Sequence, residues 1–156
     1  MSPEVNRVVT TLRAHGLTGE VRAMAEKVPT AAAAAEKLGC PTGAIANSLV
    51  FTADGEPLLV LASGAHRVDT GRIAALVGAR KVRRAEADLV LAATGQRVGG
   101  VAPTGHPRPL RTVVDTALAG YAEVWAGGGD EWTMFRTTFD ELVALTGGIP
   151  AEIARD

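Results

Sequence analysis

A chain of 156 residues, 47% of them apolar and 21% charged, has enough apolar material to bury a core and is not a disordered composition. Its single cysteine, Cys40, rules out an internal disulfide framework and fits a reducing, cytoplasmic setting. A net charge of −1 gives no general pull toward nucleic acid, so any RNA contact must come from a local patch.

The opening residues, Met1-Ser2-Pro3-Glu4, carry an acid and no apolar signal core. No apolar run approaches the roughly 18 residues of a membrane span, and no membrane partner is expected. Ser2 as cap, Pro3 in the first turn and Val5, Val8, Val9 and Leu12 on one face predict a first helix, stopped at Gly16. Residues 20–24 read as a short strand. Thr30 caps an Ala-rich helix that runs to Leu38 and stops at Gly39. The strongest strand signal is Ile45–Thr52. Asp54-Gly55 then turns the chain into a second strand, Pro57–Ala62, as a hairpin with a slightly long loop.

Asp69 or Thr70 caps a helix ending near Gly78, Val82 sits in a short strand, and residues 86–93 form a helix closed by Gly95. Strands are predicted at 97–101, 110–115, 122–126 and 133–137. Thr138-x-x-Glu141 is a capping box for a last helix that Gly147 stops. The elements alternate irregularly and include a tight hairpin, which excludes a purely parallel sheet. The expected fold is mixed α/β over 1–156, one domain, with a curved, partly barrel-like sheet flanked by helices.

Four places carry candidate chemistry. On the apolar strand from Ile45, Asn47 shares a face with Ile45, Leu49 and Phe51. A buried amide left unpaired there costs about 1–3 kcal/mol, so Asn47 either ties down a loop or faces a ligand. Gly99-Gly100-Val101-Ala102-Pro103 can bring backbone close to a ligand and aim several N–H groups into one cavity, or it is simply a turn. Ser63 and His66, with Asp69 or Asp115 as orienter, suggest a nucleophilic triad, but no G-x-S-x-G elbow accompanies them. Arg80-Lys81-Val82-Arg83-Arg84 is either a phosphate contact or a charged edge strand. His15, His66 and His106 have no metal-ligand spacing, and no metal or cofactor is expected. Gly127-Gly128-Gly129-Asp130 is no nucleotide fingerprint; it lets a strand end bend around a pocket. Cys40 reads as a structural thiol.

In order and spacing, several stretches resemble the YbaK/prolyl-tRNA-synthetase-associated editing domain family. They are Thr30-Ala31, Ile45-x-x-Ser48-Leu49-Val50-Phe51 and Gly64-x-x-Arg67-Val68-Asp69. They continue with Thr94-Gly95-x-x-x-Gly99-Gly100-Val101-x-Pro103-x-Gly105 and Val114-Asp115. The resemblance implies hydrolysis of the ester joining a small amino acid to a mischarged tRNA, by a water assisted by the substrate's own ribose hydroxyl. It assigns Asn47 and Gly99, Gly100, Val101, Ala102 and Pro103 to catalysis. To substrate binding it assigns Thr30, Ser48, Gly64, His66, Arg67, Asp115, Gly127 and Gly128. The family's lysine on the central strand falls at Asn47, a short neutral side chain. Arg67 is then the candidate for a replacement cation. A deacylase and a ligand- or tRNA-binding module that has lost catalysis both remain open.

Overall fold

The computed structural model describes residues 1–154. In chain order its elements are α1 (Pro3–Ala14), β1 (Val21–Ala23), α2 (Ala31–Leu38), β2 (Ile45–Ala53), β3 (Glu56–Ser63), α3 (Thr70–Val77) and β4 (Val82–Arg84). They continue with α4 (Ala87–Thr94), β5 (Arg111–Asp115), β6 (Val124–Gly127), β7 (Thr133–Thr137), α5 (Phe139–Thr146) and β8 (Ile149–Ala151). None of the helices is long and apolar enough to cross a membrane.

The helix starts follow local chemistry. Ser2, Thr30, Asp69 and Thr138 each accept a hydrogen bond from a first-turn N–H, as their positions in the sequence predict. The capping box is only half closed, because the Glu141 carboxylate accepts from the Thr137 hydroxyl at 3.0 Å.

Eight strands form one mixed sheet in the order β1-β7-β6-β2-β3-β5-β8, with β4 attached to β2. The β2–β6, β3–β5 and β5–β8 pairs are parallel. β1 and β8 stand at opposite ends and do not pair, so the sheet is mixed as expected and is not closed. The β2–β3 hairpin is tighter than expected. Ala53 pairs with Glu56, leaving only Asp54 (φ 50°) and Gly55 (φ 87°), the two left-handed residues of a type I′ turn. The strand expected at 97–101 is instead a loop, with Gly99 at φ 92°. β8 was not foreseen. Its Pro150 argues against a strand, yet it lies at a sheet edge, where a missing N–H costs little.

Period-two alternation divides the core between the two faces of the sheet. Ala46, Val50, Leu59, Leu61 and Val114 pack with Val8 and Leu12 of α1, Val90 of α4 and Leu142 of α5. Phe51, Leu58, Val60 and Val113 pack with Ile73 and Val77 of α3. Ile45, Trp125 and Met134 meet Ala34 and Ala35 of α2 in a smaller third cluster.

One irregularity positions the site. β2 has β3 along one whole edge, while its other edge is shared. Pairing to β6 stops at Ala46, and pairing to β4 starts only at Phe51. The sheet is therefore split beside residues 47–50.

Candidate functional site

A cleft of about 180 Å³ occupies that split. Pro29, Thr30 and Ala31, leading into α2, line it on one side. Val90, Val98, Gly99 and Val101 line it on the other, with Asn47 and Ser48 of β2 at the back and Gly127 and Met134 at the end.

Backbone direction along β2 follows from two bonds. The Ile45 carbonyl accepts from Gly64 N–H on the β3 side, at 2.8 Å, and the Val50 carbonyl accepts from Ala85 N–H on the opposite side, at 3.0 Å. Backbone groups alternate edges along a strand, so Ser48 aims both its N–H and its C=O into the split. The Ser48 hydroxyl is buried and has no hydrogen-bond partner. A ligand or water in the cleft can bond this hydroxyl.

Asn47 is expected to be buried; it is half-buried, and its side-chain amide makes no hydrogen bond among the described residues. The split explains the difference, since water or a ligand in the cleft can satisfy its amide. Among the described residues, Arg84 is the only charged side chain lining the cleft. It pairs with Phe51 across β2 and β4, and its guanidinium lies 5.5 Å from the centre of that ring. Phe51 shares a strand face with Asn47 and Leu49, so the cation sits on Asn47's side of the sheet. Arg84 makes no ion pair among the described residues. Sequence reasoning put Arg84 in a cluster of five without ranking it; the β2–β4 register singles it out. Arg80, Lys81, Arg83 and Arg84 are all exposed, and of the four only Arg84 lines this cleft.

The glycine loop is more self-contained than expected. Gly100 N–H donates to the Arg97 carbonyl, and Ala102 N–H donates to Gln96 Oε1 at 2.7 Å. Gln96, 1% exposed, also donates from Nε2 to the Thr104 carbonyl. No sequence motif marked Gln96, yet it fixes the loop from inside. Gly99 and Val101 line the cleft, whereas Gly100, Ala102 and Pro103 do not. A Cβ on Gly100 would stand 2.6 Å from the Asp130 backbone, so a side chain there breaks packing. Gly127 lines the cleft for a related reason, its Cα passing so close that a Cβ would be 2.6 Å from the Val101 carbonyl oxygen.

The remaining candidates lie elsewhere. His66 Nδ1 is 2.8 Å from Asp115 Oδ2, but the Ser63 hydroxyl donates to the Gly43 carbonyl, so the three do not form a relay. Gly64 closes the end of β3 tightly under Ala31. Gly128 packs against Thr133. Arg67 is exposed and does not line this cleft, so its position gives no support for a replacement cation. Cys40 is half-buried, and burial raises its thiol pKa, as befits an unreactive group.

His106 braces the glycine loop from outside the cleft. Its Nε2 lies 2.8 Å from the Ala102 carbonyl, so the neutral ring donates there. Burial holds the imidazole below its ordinary 6.5, against the smaller raising effect of that bond. The unfolded chain therefore binds the extra proton first as pH falls, and stability is lost as pH drops through 6.5 until the folded ring protonates. His15 and Arg108, which line the same hollow, add no acid that would offset this. His106→Gln keeps a donor and removes the titration. Its melting temperature should fall less than that of the wild type between pH 7.5 and 5.5, about the range where histidines titrate. Equal falls would show that His106 does not carry this dependence.

Comparison with known proteins adds three findings. The profile of a family described as the aminoacyl-tRNA editing domain matches residues 25–145. The chain is 31% identical over 101 residues to the proline–tRNA ligase of Elusimicrobium minutum, a match covering 62% of this chain and 18% of the ligase. It is 34% identical over 94 residues to that of Nitratidesulfovibrio vulgaris, covering 60% and 16%. The chain thus spans under a fifth of these relatives. A solved structure proposed to be a trans-editing enzyme for prolyl-tRNA synthetase superposes with a TM-score of 0.93 at 39% identity, covering 100% of this chain and 99% of that one.

Proposed function

The chain belongs to the aminoacyl-tRNA editing domain family, and we propose that it hydrolyses the ester between a small amino acid and the 3′ end of a mischarged tRNA. The observation that carries this reading is the split beside β2. Among the described residues it joins the Ser48 backbone N–H and C=O, which neither the β4 nor the β6 ladder reaches, the side-chain amide of Asn47 and the cation Arg84 in one cleft. At about 180 Å³ the cleft has room for an aminoacyl group.

The chemistry asks little of protein nucleophiles. Ser63 is engaged with Gly43, and no histidine or carboxylate among the described residues lines the cleft. Attack by water, assisted by the substrate's vicinal ribose hydroxyl, needs from the protein only orientation and stabilisation of the developing negative charge.

Purified protein, at enzyme equal to substrate, should release alanine or serine from mischarged tRNA faster than buffer alone. No release across a broad panel of mischarged tRNAs would favour the second reading, a binding module. The neutral Asn47 in place of the family's lysine is the observation behind that alternative.

A further inference from the structure

Resting on the deacylase reading, the geometry points to a specific main-chain recognition: the aminoacyl group docks on Ser48 as a one-residue antiparallel strand. In a hydrogen-bonded antiparallel pair, two facing residues exchange both of their N–H···O=C bonds. Ser48 offers one such half-pair, unclaimed, in the plane of the sheet. Two residues back, β6 takes the edge of β2 at Ala46. Two residues on, Ala85 N–H takes the Val50 carbonyl. A peptide strand would need one of those positions as well. A single residue needs neither, so the length of the opening selects an amino acid over a polypeptide.

In this pairing the α-amino group donates to the Ser48 carbonyl, and the ester carbonyl accepts from Ser48 N–H. Facing residues of such a pair point their side chains to the same side, so the substrate's side chain projects with that of Ser48, toward Val90 and Val101. When the water oxygen bonds to the ester carbon, the carbonyl electron pair moves onto the oxygen held by Ser48 N–H. On collapse the carbon–oxygen bond to the ribose breaks, and the ribose oxygen takes the proton released by the water. The products are a free amino acid and a ribose hydroxyl. Ser48 N–H thus meets the atom that gains charge, where a donor acts most strongly.

The test uses wild-type protein and tRNA carrying alanine through a non-hydrolysable 3′-amide. At saturation, hydrogen exchange at the Ser48 amide should slow by about tenfold or more. A propionyl analogue, which lacks only the amino group, should bind about tenfold more weakly, the effect of one lost hydrogen bond. An unprotected Ser48 amide in the saturated complex overturns the pairing, as does equal affinity for the two analogues. Failure of the alanyl analogue to bind overturns it too. Whether the deacylase reading falls with it is decided by release from ester-linked mischarged tRNA, which needs no analogue.

Discussion

Arg84→Met is expected to lower kcat/KM for deacylation by about a hundredfold while leaving the fold intact. A charge-assisted hydrogen bond to the substrate is worth about 1.5–3 kcal/mol, and each ~1.4 kcal/mol is tenfold in rate. Methionine is the informative replacement, because Arg84 also packs over Phe51 and an unbranched apolar chain preserves that contact. Arg84→Lys keeps the charge and loses the planar fork, so it should fall between the two.

Direction matters as well as size. A loss confined to KM assigns Arg84 to holding the tRNA end, whereas a loss in kcat assigns it to the developing charge. Placing Asn47→Lys in the Arg84→Met background returns a cation to the same face of β2, and partial recovery is expected. Wild-type kcat/KM in a folded Arg84→Met protein would remove Arg84 from the site.

That prediction was out of reach of the sequence, and the reason is physical. Helix starts were legible because a cap acts within three residues, as at Ser2, Thr30 and Thr138. β7 was legible because alternation and flanking breakers are local too. The split beside β2 is not local. It arises because β6 and β4, about 40 residues apart in the chain, share one edge of β2 without meeting, and register across such distances leaves no mark in a single sequence. The same holds for Gln96, whose role depends on reaching Ala102 and Thr104 in a loop that folds back on it. Asn47 stood out as a polar residue in an apolar run. The inference that it must be buried failed because a strand apolar on both faces can still have an open edge.

Asp115→Ala should cost about 3–5 kcal/mol of folding stability with little change in kcat for the fraction that remains folded. Asp115 is 1% exposed and anchors three groups. It accepts from Ser63 N–H at 3.0 Å and from Ala117 N–H at 2.9 Å, and it faces His66 Nδ1 at 2.8 Å. Removing the carboxylate strands two backbone donors, each costing about 1–3 kcal/mol, and leaves a cavity. Asp115→Asn fills the space and can satisfy one donor but turns an N–H₂ toward the rest, so it should cost less than alanine and more than nothing. His66→Ala should be milder still, because His66 is a third exposed and both backbone donors keep their acceptor. This ranking separates scaffold from chemistry. A side chain that ties the end of β3 to the start of the turn after β5 loses stability in the order alanine, asparagine, His66→Ala. A catalytic dyad would instead lose kcat in both Asp115→Asn and His66→Ala at nearly unchanged denaturation midpoint. Chemical denaturation alongside single-turnover deacylation distinguishes them, and the scaffold is favoured because neither His66 nor Asp115 lines the cleft.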